Sequence, residues 1–357
     1  MNFKPTDRTM TGSRSLVRTG GILLVSTLAL VACSGGGGSD SSSAGGASES
    51  GGECDLSAEF PGGPIELVVP FDAGGGTDAV GRLIANELST RLETQVNVIN
   101  RTGGGGVVGH QAIANAAPDG RTIGLATAEL TMLHHQGLTD VNPADVTAIS
   151  QMNADPAGIT VAADAPYETL QDLLDAAEAN PGDLVASGTG VAGIWHVALA
   201  GLLMEAGLEA DAIRWVPSEG AAPALQELIA GGIDVSSASL AENRTMIDAG
   251  RVRALAVMSS EPAPGFDDVP TLAEEGIVDY EMGTWRGVAG PAGMDEDTVA
   301  ELECHLGNIA ESEEFISFME ESGLIINYRN AEGVTAFMEE DDTAKGEILE
   351  RAGLAGQ

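Results

Sequence analysis

The run Ile65-Glu66-Leu67-Val68-Val69-Pro70 is apolar and short, and it ends at Phe71-Asp72-Ala73-Gly74-Gly75-Gly76-Thr77-Asp78. Beyond that loop Val80, Leu83, Ile84 and Leu88 recur at helical spacing across Ala79 to Leu92. A strand, a glycine loop and a helix form one unit, and the unit repeats. Val96 to Ile99 is a second strand, Asn100 to Gly106 a second glycine loop, Val107 to Ala117 a second helix, and Thr122 to Ala126 a third strand. Strands alternating with helices confine the chain to an α/β class with a parallel sheet.

A second set starts near Gly158. Strands are expected at Ile159 to Ala162, Leu184 to Ala186, Ile213 to Pro217, Val235 and Arg253 to Met258. Helices are expected at Thr169 to Ala177, Ala192 to Ala206 and Ala221 to Ala230. Met282 to Ala289 crosses back to the first set, and Asp295 to Glu320 and Gly333 to Ala352 are helical and acidic. A chain of 357 residues exceeds what one core holds, about 250 to 300 residues, so two lobes follow: 61–158 with 284–357, and 159–283.

The first residues read as an export signal, 1–32. Lys4, Arg8, Arg14 and Arg18 precede the apolar run Gly21 to Ala32, which is too short for a permanent span of about 30 Å. Leu30-Val31-Ala32-Cys33 is a lipobox pattern, marking Cys33 for lipidation and 33–60 as a lipidated flexible linker. Ser34 to Gly52, nearly all Gly, Ser and Ala, offers little apolar area to offset ordering. With Cys33 lipidated, Cys54 and Cys304 remain as a candidate disulfide pair outside the cytoplasm.

Lys and Arg number 16 against 54 Asp and Glu, a formal charge of -38, and Lys4 and Lys345 are the only lysines. The chain has no basic patch for nucleic acid. Such a surface repels itself at low salt, which points to a salty habitat.

The loop Phe71 to Asp78 has two readings on pattern alone. Its glycines free N–H groups for an anion at the helix start, where Thr77 or Asp78 can cap, or they serve close strand–helix packing. It lacks the Gly-Lys-Ser/Thr of a nucleotide loop and the spacing of a dinucleotide fingerprint, so no cofactor is expected. Ser187-Gly188-Thr189-Gly190 repeats the arrangement in the second lobe. The five histidines show no metal spacing, the adjacent His134 and His135 are expected to point in different directions, and no hydrolase motif occurs. An enzyme is therefore not expected, and no metal is.

Several stretches in order resemble the periplasmic solute receptors of tripartite tricarboxylate transporters, the Bug family. They are Pro64 to Asp78, Asn100 to Gly105, Ala117 to Gly120, Val216 to Asp234, Arg253 to Met258, Asp268 to Thr271 and Trp285 to Gly293. The resemblance implies a two-lobed periplasmic-binding-protein fold, type II-like, closing an interdomain cleft on a small organic carboxylate. It places the first cleft loop on Phe71, Ala73, Gly76, Thr77 and Asp78, and the second on Ser187, Thr189 and Gly190. Further wall positions fall on Thr127, Ala128 and Ser239. Trp285-Arg286-Gly287 looks like the tricarboxylate branch, with Arg286 suited to a distal carboxylate or to a structural ion pair. Ser218-Glu219 departs from the family's usual aromatic or basic pair, so a dicarboxylate is as fitting as citrate. The implied partners are membrane permease subunits and, through the lipid, the membrane itself. The alternative output is a sensor feeding a signalling partner.

Overall fold

The computed structural model describes Cys54, Phe60, residues 62–276 and residues 280–356. The export signal, Cys33 and the tether Ser34 to Gly52 lie outside the described residues.

The opening units are β1 (Ile65–Val69), α1 (Gly76–Arg91), β2 (Val96–Asn100), α2 (Val107–Ala114), β3 (Thr122–Thr127) and β4 (Val146–Pro156). The middle of the chain forms β5 (Gly158–Ala162), α3 (Leu170–Ala179), β6 (Val185–Ser187), α4 (Ile194–Glu205), β7 (Arg214–Trp215), α5 (Ala221–Ala230), β8 (Val235–Ser236), α6 (Leu240–Asp248) and β9 (Val252–Val257). The last part forms β10 (Gly283–Pro291), α7 (Glu296–Ala310), α8 (Glu313–Ser322), β11 (Ile326–Arg329) and α9 (Ala331–Arg351).

The strands make two sheets, in the orders β11-β4-β10-β3-β1-β2 and β7-β6-β8-β5-β9. Neither is purely parallel, a correction to the parallel sheet expected from strand–helix alternation. β10 re-enters the first sheet from the second and runs antiparallel to β3 and β4. β5 enters the second sheet from the first and runs antiparallel to β8 and β9. The two crossings reverse the strands that make them.

β4, at 11 residues the longest strand described, escapes recognition in the sequence because Ser150, Gln151, Asn153 and Asp155 break its apolar run. All four are buried, at 0 to 2% exposure, because β10 and β11 cover the strand from both sides.

The first sheet is covered by α1 and α7, which contribute Ile84 and Leu88 and then Leu302, Leu306 and Ile309, all fully buried with Leu67 and Leu125. Each such side chain contributes about 1.5–3 kcal/mol. α4 is apolar all round and buried on nearly every face, as a helix enclosed on both sides must be. It packs among Val161 and Val235 of the second sheet and Val334, Ile348 and Leu349 of α9. Cys54 and Cys304 are joined by a disulfide, with Cα atoms 5.9 Å apart and a sequence separation of 250. Among the described residues no helix is long and apolar enough to cross a membrane.

Candidate functional site

β4 leaves the first sheet at its carboxyl end and becomes β5 two residues later. Because β5 is antiparallel to β8, and β8 parallel to β6, the carboxyl ends of β6 and β8 lie where β5 begins. The carboxyl edges of the two sheets are thus turned towards one crossing, the place where open α/β sheets carry their ligands. The crossing is tied by backbone bonds: Ala157 N donates to Met282 O (2.8 Å), Met258 N to Ala157 O (2.8 Å) and Met282 N to Met258 O (3.2 Å).

On the first edge, Pro70 to Gly75 lead into α1. The helix begins at Gly76, inside the glycine run, and its N-cap is Gly75, with no side-chain cap. Neither Thr77 nor Asp78 caps it, contrary to expectation, because both lie within the first turn. Asp78 instead reaches back and accepts from Gly74 N (2.8 Å), Arg82 Nε (2.8 Å) and Asn100 Nδ2 (2.9 Å). Burial pushes this carboxyl up, but the bonds from Arg82, Gly74 and Asn100 outweigh it and hold it at about 2. Asp78 stays charged and buried, a brace for the loop. No described group accepts from the N–H of Gly75, Gly76, Thr77 or Asp78, and residues 72–76 are exposed. Phe71 is half-buried, its carbonyl accepting from Asn100 Nδ2 (2.9 Å), and Ala73 stands at the loop's tip.

The second edge repeats this. β6 ends at Ser187, and α4 starts on Gly193, again with no side-chain cap. The N–H groups of Ile194, Trp195 and His196 have no described acceptor. Thr189 Oγ1 is 3.3 Å from Gly190 O, and Ser187 is buried with no hydrogen bond from its hydroxyl among the described residues. The sharp turn holds Ala192 at φ 55°, pinned by its N–H on His196 Nδ1 (2.9 Å) and its carbonyl on Gln136 Nε2 (3.0 Å). α2 and α5 also start on uncapped glycines, Gly106 and Gly220, whereas α3, α6, α7, α8 and α9 carry side-chain caps. The helices that start uncapped all follow strands at these carboxyl edges.

Arg286 stands on the first edge, beside the crossing. It pairs in register with Thr127, and its Nε donates to Thr77 Oγ1 (3.0 Å). One terminal nitrogen donates to Asp155 Oδ2 (2.9 Å), and the other has no described acceptor and lies 3.8 Å from the position of a Cβ on Gly76. The ion pair to Asp155 fixes the fork and leaves one arm at the α1 start. Glu242, in the first turn of α6, keeps solvent access while the fold packs around its carboxyl group. Burial pushes that carboxyl up, Arg286 pulls it down and Asp155 raises it again. Ser239 caps α6 by accepting from Glu242 N (3.3 Å), and bridges Ala157.

The walls are braced from behind. Thr127 Oγ1 donates to Glu129 Oε2 (2.6 Å), and Thr127 N donates to His110 Nε2 (3.3 Å). His110 Nδ1 meets Gly106 O at 2.9 Å, so the ring is neutral with its proton on Nδ1, and burial pushes it down to about 4. The carbonyl of buried Ala128 takes the Thr131 hydroxyl (2.8 Å). Lys345, the one lysine among the described residues, is fully buried and reaches Asp341 (2.6 Å), which also takes Trp285 Nε1 (2.8 Å). His196 stacks on Trp215 at 4.6 Å, and burial lowers it to about 4.

The family model described as tripartite tricarboxylate transporter family receptor matches residues 80–354. The chain belongs to this family. A protein encoded between tcbD and tcbE in Pseudomonas sp. strain P51 is 33% identical over 273 residues, 74% of this chain and 79% of that one. BugT of Bordetella pertussis is 27% identical over 82% of this chain and 86% of its own. Among solved structures, a ligand-free TctC solute-binding protein from Polaromonas is 33% identical with a TM-score of 0.72, covering 82% of this chain and 99% of that chain. A Rhodopseudomonas palustris protein with adipate is 25% identical with a TM-score of 0.70, covering 84% and 100%.

The receptor is thus an extracytoplasmic solute-binding protein and not an enzyme. Its first edge brings together Thr77, Asp78, Thr127 and Arg286, its second Ser187, Thr189 and Gly190, and Ser239 sits at the crossing. Sequence reasoning missed Asn100, His110, Asp155 and Glu242. Asn100 closes a strand ahead of a glycine loop and carried a signal. Asp155 and Glu242 lie on β4 and α6, elements the apolar pattern does not mark.

Proposed function

We propose that the receptor captures a small dicarboxylate between the two sheet edges and hands it to membrane permease subunits of a tripartite transporter. The observation that carries this is the pair of uncapped glycine starts, of α1 and α4, on two edges turned towards one crossing. Each offers N–H groups and a positive helix end to one carboxylate. Phe71, Ala73, Gly76 and Thr77 would line one end, braced by Asp78, and Ser187, Thr189 and Gly190 the other, with Thr127, Ala128 and Ser239 as walls. The open arm of Arg286 would take a carboxylate oxygen.

Asp155 and Glu242 beside Arg286 limit the positive charge on offer, which favours a dianion over a trianion. The adipate bound by the Rhodopseudomonas protein is of that class. Closure would move 159–283 against 61–158 with 284–357 about the crossing, and the closed form would be what the permease recognises. Lipid on Cys33 and the tether would keep the body at the membrane, released from the signal 1–32. Palmitate labelling that persists in Cys33→Ala would refute the anchor.

The deciding measurement is calorimetric titration of residues 53–357, stripped of ligand, in high salt against succinate, malate, adipate, tartrate and citrate. One-to-one heat with a dicarboxylate, weakened at least tenfold in Thr77→Val and in Arg286→Lys, is expected. Tighter binding of citrate than of every dicarboxylate would overturn the charge argument, and silence from a folded protein would overturn the carboxylate reading.

A further inference from the structure

His134 and His135 lie in the turn that follows the 3-10 segment Ala128–Thr131. Adjacent residues in a strand point apart; in this turn both rings swing to the same side, with centroids 3.9 Å apart and planes tilted by 40°. The expectation that the pair diverges is therefore corrected. Both rings face Asp342 of α9, with His134 Nε2 at 3.1 Å and His135 Nε2 at 3.3 Å from the same oxygen, Oδ1.

Those distances do not make hydrogen bonds. Asp342 Oδ1 is buried and accepts from no described donor, and His134 Nδ1 is buried without a partner as well. A buried carboxylate oxygen with two imidazole nitrogens against it and no bond to either requires an explanation. One potential ligand atom from each of the three residues lies within 4.8 Å of the others. We propose that His134, His135 and Asp342 bind a divalent transition-metal ion, with Zn2+ as the reference ion.

Two imidazoles and a carboxylate suit Zn2+, Ni2+ or Cu2+, whereas Ca2+ and Mg2+ want oxygen donors. The three side chains are 20 to 28% exposed, so an ion can enter and water can fill the remaining positions. One bond opposes the site: His135 Nε2 lies 3.1 Å from Asp342 O, and coordination would replace that contact. His135 would lose one hydrogen bond and gain the metal. The ion would pin the turn to α9 one residue from Asp341, which holds Trp285 and Thr131 behind the ligand walls.

The test is titration of the untagged body with Co2+ in 1 M KCl, where the acidic surface is screened, followed by displacement with Zn2+. Expected are visible d–d bands at one ion per chain, bleached by stoichiometric Zn2+, and affinity at least tenfold weaker in His134→Asn and in Asp342→Asn. Should those variants unfold, the native chain still decides, since Zn2+ must raise its melting temperature and EDTA reverse the rise. Absence of d–d bands with no shift in melting overturns the site, as does binding undiminished in folded His134→Asn.

Discussion

Asp78 and His110 are both buried, and they make the receptor sensitive to acid in two separate windows. The Asp78 carboxyl is held at about 2 against an ordinary 3.8, so its stabilisation is complete above about pH 4 and is lost as the pH falls through 2. It amounts to about 1–2 kcal/mol, discounted because Arg82 is half exposed and screened. His110 runs the other way in charge: the folded ring stays neutral to about 4, while the unfolded ring takes a proton near 6.5. Its stabilisation is full above 6.5 and declines as the pH falls towards 4, by roughly 2–3 kcal/mol. Urea unfolding is expected to show this loss between pH 7 and 4.5, and His110→Gln to flatten it. Arg286 is a third case. Arg286→Met strands Asp155, which is 2% exposed, and is expected to cost about 3–5 kcal/mol, most of it recovered by Asp155→Asn in the same chain. A double variant no more stable than Arg286→Met would show that the cost does not come from the Asp155 charge left behind.

At the scale of elements, glycine sets where helices begin and how closely they approach the sheet. A Cβ on Gly109 of α2 would fall 2.4 Å from Pro70 Cα and 2.9 Å from Arg101 O, so α2 packs directly on the chain leaving β1. Gly109→Ala must push that chain, and with it the Phe71 to Gly75 loop. A loss of about 1–3 kcal/mol is expected, together with weaker dicarboxylate binding in the same calorimetric assay. Unchanged affinity would mean that the loop is not held from behind. This also explains how much of the fold is legible in the sequence. The strand–glycine–helix units read clearly because their apolar residues recur at strand and helix spacing, and α5 falls on Ala221–Ala230 as the pattern dictates. β4 and α6 do not, because β4 buries Gln151, Asn153 and Asp155 in mid-sheet and α6 buries only Leu240 and Asn243. Several of their polar atoms pair with partners distant in sequence, such as Arg329 on Gln151 (2.6 Å) and Arg286 on Asp155. Of the candidate site, the glycine loops and Arg286 can be named from the sequence, whereas Asp155, the buried partner of Arg286, cannot.

For the whole molecule, the charge of -38 acts against the compact state while the disulfide acts for it. Repulsion among exposed carboxylates reaches about 10 Å at 0.1 M salt and about 3 Å at 1 M, so melting temperature is expected to rise with KCl over that range. A flat or falling curve would remove the case for a salty habitat. The disulfide closes a loop spanning most of the body and ties Cys54 to α7, which covers a face of the first sheet and not its carboxyl edge. Opening it frees the unfolded chain far more than the folded one, at a cost of about 2–4 kcal/mol. For a chain of this size that is a fall of roughly 5–10 °C in melting temperature. Cys54→Ser with Cys304→Ser is expected to show that fall while binding its dicarboxylate with the affinity of the parent at 25 °C. A double variant that melts as the parent does would mean the first sheet needs no tie. One that melts lower and also binds tenfold more weakly would mean that α7 positions the carboxyl edge through the sheet, and the α1 start is then set from outside the loop that carries it.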